Sequence, residues 1–462
     1  MIGVKRARTL TAVVALGALI TGCAINPRPS FNETSAEVRT RTGLETTWMR
    51  SESEERAALE RVREILAQPL TPRHAAQIAL INNRALQARL EELGIAQANR
   101  AAAALPGNPE IEGFLGWPSE KSHGKTIELG FGLDVLDLFI LPSRKRLADL
   151  ELKQTKALAG DEILKAASRA QTEVLELQAL EARLKGTTDA LEIEEALTEF
   201  AEARFKAGTL SELEYEEESA HRDALRAERS RLELETRRQR EAINQTLSLW
   251  GDLTTWTVAP LEAALPATDP AGSELERLAL EQRFDLAAAR AAIDLLAGTL
   301  RLQKKTRFLP AGVRVGAHTE KEDGVRITGP SLQLQLPIFN PGRAESSRLE
   351  AMYFQAQRLF EDGAARARAE VREKRDQLLG SRALVEHHEN VVAPRKKRIV
   401  EMTRGYYNMM LKGADELLRA RRDEIEAEAS GIEARRAYWV ARTELALALG
   451  GAIPGVGEGD KR

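Results

Sequence analysis

Cys23 is the residue in this chain with the clearest chemistry to offer. It closes the run Ile20-Thr21-Gly22-Cys23, the bacterial lipobox pattern, in which small residues precede a thiol that is lipidated and becomes the first mature residue. Lys5, Arg6 and Arg8 form a basic segment ahead of it, and Leu10 to Ile20 is an apolar run too short to span a bilayer as a helix. Cys23 is the only cysteine, so no internal disulfide can form. The alternative is a core cysteine near the start of the fold. Ala24, not Asp, follows it, which favours the outer membrane where the host uses that sorting rule. Three of the six methionines, Met402, Met409 and Met410, lie close together. Thioethers favour soft ions such as Cu(I), but such a group more often packs against a core or a partner surface. His387 and His388 are adjacent, so on a helix they point to different faces and make a poor metal site. No Ser/His/Asp arrangement, phosphate loop or cysteine cluster is present. Catalytic residues, cofactors and metal ligands are therefore not expected.

The elements that must carry these residues come in two rounds. The first runs over about 70–251 and the second over about 275–451, with a linker at 252–274 and a tail at 452–462. An internal repeat constrains a fold before local detail does. The low aromatic content (5%) and the 30% of charged residues suggest long paired helices more than a compact globule. Cleavage before Cys23 removes three bases and no acid, leaving 64 Lys+Arg against 70 Asp+Glu, a balance with no reason to bind nucleic acid.

Residues 24 to about 45, with Pro27 and Pro29, read as an extended tether, and a first helix is predicted from Ser51 to Ala67; the whole of 23–69 is taken as the lipidated N-terminal segment. Thr71 and Pro72 suit the cap and first turn of a helix running to Ala104. The pattern then changes to period two. Glu110–Trp117 and Thr126–Val135 are predicted strands, as are 312–319 and 325–336, where Leu332, Leu334 and Leu336 alternate with Ser331, Gln333 and Gln335. Each strand pair leads to a proline, Pro142 or Pro341, read as a strand-to-helix junction at a helix first turn. From Pro142 to about Phe205 no proline interrupts, and a helix of that length would be about 95 Å long. Ala157, Leu164, Ala167, Val174, Leu177 and Leu184 mark a narrow seam along it, as coiled-coil pairing requires. The second long helix, to about Asn408, contains Pro394, which should kink it.

The strands alternate apolar residues with polar ones or glycine, one face for lipid and one for water. A sheet in a bilayer must close on itself, and the smallest membrane barrels have about eight strands. Four strands therefore belong either to a soluble sheet or to a barrel shared between chains. Trp117, Phe131, Phe139, Phe308 and Phe339 near the strand ends favour the second.

At this point the chain resembles the TolC-like outer-membrane efflux proteins. The resemblance rests on Leu70-Thr71 through Ala79-Leu80-Ile81-Asn82-Asn83, on Leu105-Pro106-Gly107-Asn108-Pro109, on Leu334 to Asn340 with Gly342-Arg343, and on Phe205-Lys206-Ala207-Gly208 and Leu445 to Gly451. Their order and duplication carry it, since each motif uses common residues. The resemblance implies a mainly α fold with a small membrane β part, assembled as a homotrimer with a twelve-strand shared β-barrel and a trimeric α-barrel. It implies a periplasmic adaptor and an inner-membrane efflux transporter as partners, with outer-membrane lipid around the barrel. Its function would be the exit duct of a tripartite pump. A type I secretion duct and a non-conducting coiled-coil envelope lipoprotein are the alternatives.

The adaptor-docking tips are then expected at Phe205, Gly208, Thr209, Leu210 and Ser211, and at Met410, Gly413 and Ala414. Met410 stands where the first tip has Gly208, which leaves the second turn undetermined. Carried over by position, Glu416 and Arg419 would form the tunnel gate; the alternative is that both are ordinary solvated helix residues. From Asp189 to Glu218 eleven acids face two bases, whereas Arg395, Lys396, Lys397, Arg398 and Arg404 make the second tip basic. Such runs are usually solvated faces; the sharper reading is that unlike hairpins alternate round the ring and set its assembly.

Overall fold

The computed structural model describes residues 25–117, 125–262, 264–270, 272, 274–309, 312–322, 325–335, 337–339 and 341–453. Cys23 and its signal segment, Leu336, Asn340, both strand-connecting turns in whole or part, and the tail after residue 453 lie outside the described residues. The order of elements is α1 (Arg28–Thr42), α2 (Glu52–Leu66), α3 (Pro72–Asn82), α4 (Arg84–Ala103), β1 (Glu110–Gly116), β2 (Thr126–Asp134), α5 (Val135–Lys206) and α6 (Glu212–Leu247). A second passage follows: α7 (Glu274–Gln282), α8 (Phe284–Thr306), β3 (Val313–Glu322), β4 (Val325–Leu334), α9 (Arg343–His387), α10 (Ala393–Asn408) and α11 (Ala414–Ala448). The chain is mainly helical with one small antiparallel sheet. No described helix is long and apolar enough to cross a membrane.

The expected extended tether is instead helical. Pro29 occupies the first turn of α1, where its missing N–H costs nothing. Phe31, Thr34 and Val38 are buried at helical spacing, and Arg41 donates to the carbonyls of Gln282 (2.6 Å) and Gly450 (3.1 Å). The expected helix from Pro72 to Ala104 is broken at Asn83, whose ψ of 112° leaves the helical region. Its start is as expected: the Thr71 hydroxyl accepts from the His74 N–H at 3.1 Å.

The break serves a purpose. Asn82 Nδ2 donates to the carbonyls of Leu247 (2.8 Å) and Ser248 (3.0 Å), and Asn83 Nδ2 to that of Thr246 (2.8 Å). These carbonyls end α6, where no intrahelical partner exists. In the second passage arginines do the same work: Arg283 reaches the Ala448 carbonyl at 3.3 Å, beside Arg41 on Gly450.

α5 runs 72 residues and begins at Val135, seven residues before Pro142. The true start signal is Asp134, whose carboxylate accepts from the Asp137 N–H at 3.3 Å. Pro142 therefore sits inside the helix and removes one ladder bond there. Pro394 behaves differently. A π turn, His388–Val392, separates α9 from α10, and Pro394 lies in the first turn after it. The wider turn accommodates the missing N–H without ending the helix.

The chain divides into two compact units. One holds Glu91–Thr155, Ala291–Tyr353 and the N-terminal residues to Asn32, and contains the sheet; the other holds Glu33–Leu90, Lys156–Arg290 and the chain from Phe354 onward. Among the described residues, two apolar cores lie in the second unit. One joins α2, α3, α5 and α6 through Val62, Ile78, Val174, Leu177 and Ile243; the other joins α7, α9 and α11 through Leu275, Leu378, Tyr438 and Leu445. The α5 seam is wider than expected: Leu164, Ala167, Val174 and Leu177 are buried, but so are Ile163, Ala170, Leu175 and Ala179. The linker after α6 is pinned by buried Asp269, which accepts from Tyr438 Oη (2.8 Å), Arg442 (3.2 Å) and Arg382 (2.8 Å).

Candidate functional site

The sheet has the order β1-β2-β3-β4, all antiparallel. Its register sorts the side chains by face. Ile111 lies opposite Phe131, Leu129 opposite Thr319, Leu133 opposite Val315, and Val315 opposite Leu332, so these residues share one face. Most are exposed in the single chain: Ile111 at 80%, Phe131 at 51%, Leu332 at 65%. The other face carries Glu110, Glu112, Glu128, Asp134, Glu320, Glu322, His318 and Arg314; only toward the strand-connecting turns does the sorting mix, with Phe114, Ile327 and Val325 on this face and Lys321 and Arg326 on the first. Arg314 crosses three strands, meeting Glu110 (2.8 Å), Glu112 (3.4 Å) and Gln333 (2.8 Å). Gly132 makes room for it, since a Cβ there would lie 2.7 Å from Arg314 Cδ. The outer edges of β1 and β4 pair with no described strand.

The two hairpin tips have the same hydrogen-bond pattern. At the first, the N–H groups of Ala207, Gly208 and Thr209 donate to the carbonyls of Ala203, Phe205 and Arg204 at 2.9–3.1 Å. At the second, Met409, Met410 and Leu411 donate to Gly405, Tyr407 and Tyr406 at 2.9–3.2 Å. Gly208 takes φ +72° and Met410 φ +57°, so the methionine adopts the left-handed conformation that glycine adopts freely. The shape left open by the sequence is thus the same turn. Gly413 is the helix cap, in extended conformation, matching Ser211. The Ser211 hydroxyl accepts from the Glu214 N–H, and Glu214 accepts from the Ser211 N–H at 2.9 Å. Glycine supplies only half of that box: Glu416 accepts from the Gly413 N–H at 3.0 Å. Phe205 stacks on Tyr215 at 5.3 Å, while Thr209 and Met410 are exposed, Leu210 half-buried and Ala414 half-buried at the start of α11. Met402, Met409 and Met410 are exposed at 52%, 62% and 94%, so of the two uses expected for them, core or partner surface, the core of this chain is not theirs.

The two expected gate residues do not meet each other. Glu416 pairs with Lys412 at 2.9 Å, and that ammonium together with the Gly413 N–H holds its carboxyl below the usual range. Arg419 instead reaches across to Glu218 of α6. Behind this pair lies Glu194 of α5, fully buried and bonded to Arg422 at 3.1 Å, with Glu218 beside it. One oxygen of each, Glu194 Oε1 and Glu218 Oε2, is buried with no hydrogen-bond partner among the described residues. Burial, reinforced by Glu218, pushes the Glu194 carboxyl up despite Arg422. The acid-rich hairpin and the basic one therefore do join, through Arg419 and Arg422. Of the sequence run, Arg395, Lys397, Arg398 and Arg404 are exposed, and Lys396 pairs with Asp423 on its own hairpin at 3.3 Å. Sequence reasoning missed Glu194, Glu218 and Arg422, because partners 201 and 228 residues apart leave no local signal.

At the strand-to-helix junctions, Arg144 and Arg343 occupy matching places after Pro142 and Pro341. Arg144 is consumed internally by Asp137 (2.5 Å) and the carbonyls of Ala103 (3.2 Å) and Leu105 (2.5 Å). Pro341 precedes α9, and Gly342 between them takes φ +70°.

No protein-family model matches the sequence, and no curated protein matches it. Solved structures are similar. A membrane protein from Pseudomonas aeruginosa matches with a TM-score of 0.68 at 21% identity, over 82% of this chain and 93% of that one. The CmeC outer membrane channel of Campylobacter jejuni matches with a TM-score of 0.65 at 16% identity, over 90% and 91%. The outer membrane protein VceC of Vibrio cholerae matches with a TM-score of 0.62 at 17% identity, over 86% and 96%. At these identities the likeness is one of fold: the chain has the fold of the TolC-like outer-membrane channels.

Proposed function

We propose that three copies of this chain form an outer-membrane channel, the exit duct of a tripartite efflux pump. Each copy contributes four strands to a twelve-strand barrel and its long helices to an α-barrel in the periplasm. Cys23 carries the lipid anchor. The tips, from Phe205 to Ser211 and from Met410 to Ala414, dock on a periplasmic adaptor that couples the duct to an inner-membrane transporter. The chain then moves solutes and performs no chemistry on them.

One observation carries the reading. The sheet exposes a largely apolar face, sets carboxylates on the other, and leaves both edges unpaired among the described residues. A sheet of that kind is satisfied in a bilayer only by closure with further strands. The likeness in fold to outer-membrane channels supports the same conclusion, and the number three is what the resemblance to the TolC-like family implies. A non-conducting envelope spacer would have no use for such a sheet. Purified protein is expected to run as heat-modifiable trimers and to give single-channel conductance in planar bilayers. A stable detergent-solubilised monomer without conductance would overturn the proposal.

Gating belongs to the same reading. Arg419, tied to Glu218, holds the second hairpin against the first, while Glu416 stiffens the start of α11. Arg419→Ala and the Glu416→Ala/Arg419→Ala double variant should both raise resting conductance, with Glu416→Ala alone doing less. Unchanged conductance in the double variant removes this gate.

A further inference from the structure

The junction between α8 and α9 holds groups that the channel reading leaves unused. Lys304, Arg307, Arg343, Ser346, Ser347 and Glu350 line an open cavity of about 480 Å³. Three cations there meet one carboxylate, and Glu350 is already engaged by Lys304 at 2.5 Å. Among the described residues neither Arg307 nor Arg343 meets a carboxylate. The Arg307 guanidinium lies over the Phe308 ring at 4.4 Å, and its Nε–H is shut off from water with no acceptor among the described residues. A buried donor left unpaired is costly, so an acceptor is expected there.

The other passage of the chain supplies the contrast. Its corresponding arginine, Arg144, is neutralised by Asp137. At the same offset of 199 residues the second passage has Leu336 in place of that acid. One junction is closed by its own carboxylate; the other keeps its positive charge. Next to these arginines in the chain, Phe308 after Arg307 and Ile338 and Phe339 shortly before Arg343 are exposed at 65%, 71% and 101%. A phosphate ligand with apolar tails would use both features, whereas a free phosphate would use only the first.

We propose that this cavity binds the phosphodiester of an anionic phospholipid headgroup, one per chain. The two guanidinium forks match phosphate oxygens, the Ser347 hydroxyl adds a donor, and the first turn of α9 presents amides toward negative charge. The acyl chains run along the exposed aromatic residues. The site rests on the membrane reading, because it lies where β3 and β4 meet their helices, at the boundary between barrel and periplasm.

The test uses the full-length protein in nanodiscs of phosphatidylglycerol or phosphatidylcholine, with retained lipid counted by native mass spectrometry. Wild type should retain phosphatidylglycerol preferentially. Arg307→Ala/Arg343→Ala should lower that retention about thirtyfold, at about 1 kcal/mol per arginine near a membrane surface. Arg307→Lys/Arg343→Lys, which keeps charge and loses the forks, should fall between. Arg326→Ala, at the far end of β4, should change nothing. Equal retention of both lipids, or no loss in the double alanine variant, overturns the site. Displacement of the lipid by inorganic phosphate alone overturns the lipid assignment. Heat-resistant trimers in both lipids show that the membrane reading stands, so a negative result then counts against the site alone. A chain that inserts in neither overturns both.

Discussion

At the scale of single residues, Met410 and Glu194 each occupy a place that is costly in isolation. A left-handed backbone costs a side-chain-bearing residue about 1–2 kcal/mol, and nothing crowds Met410 into it, since the side chain is almost wholly exposed. Met410→Gly should therefore steady the second tip by about 1 kcal/mol, read as slower amide exchange over residues 405–412. Faster exchange would mean that the thioether itself holds the turn. Gly208→Ala should do the reverse at the first tip. Glu194 is a matter of protons. Its folded carboxyl lies above the ordinary value of 4.5, so the folded chain binds that proton more tightly than the unfolded one. The stability this adds is complete below about pH 4.5 and is lost as the pH rises through the folded value. Glu194→Gln keeps an acceptor for Arg422 and a donor for Glu218 without the charge. It should be at least as stable as wild type near neutral pH and should flatten the decline in stability as the pH rises above about 4.5. Denaturation curves that fall in parallel for the two proteins would rule out a raised Glu194 carboxyl. The position of both tips was legible in the sequence, through Gly208, Ser211 and the restart at Gly413. The Glu194 cluster was not, because burial of a glutamate leaves no mark on its neighbours in the chain.

At the scale of elements, the strands were legible and the helix boundaries less so. A period of two with glycine on one face has few other meanings, and the observed strands end within three residues of the expected ones. The boundary at Val135 has no proline or glycine to announce it, only Asp134 in the cap position, so Pro142 drew the reading too far along. α1 was missed for the opposite reason: two prolines suggested extension, while two of the residues buried on it, Ser30 and Thr34, are polar. Asn82-Asn83 was legible as a motif but not as a mechanism. Its amides close the carbonyl end of a helix more than 160 residues away, which makes the break between α3 and α4 a fastening for α6. Asn82→Ala should cost roughly 1–3 kcal/mol through the two lost bonds, measured as the thermal midpoint of the purified protein. Asn82→Asp should cost more, because a carboxylate facing two carbonyls repels them and donates nothing. An aspartate variant as stable as the alanine one would show that the amide is not the fastening.

At the scale of the whole molecule, the two faces of the sheet make opposite demands, and this is where the membrane reading is most exposed to test. Leu129 and Glu128 are neighbours in β2 that point to opposite faces. If the apolar face meets lipid, Leu129→Arg costs about 2–4 kcal/mol per chain near the bilayer midplane, a penalty incurred in every copy that shares the barrel. Heat-modifiable trimers should then be lost from membranes while the helical hairpins still fold. Glu128→Arg should leave assembly intact, because its face is wetted. It should instead move the reversal potential of the channel toward anion preference, since that face carries six carboxylates, Glu110, Glu112, Glu128, Asp134, Glu320 and Glu322, against Arg314. A soluble sheet predicts the contrary pattern. There an arginine at Leu129 would be tolerated if that face were solvated, or would unfold the sheet whether or not lipid is present, and neither variant would alter a conductance. The pair of substitutions therefore separates a barrel wall from a cap on a stalk: the same charge, one residue apart, should abolish insertion on one face and retune ion flow on the other.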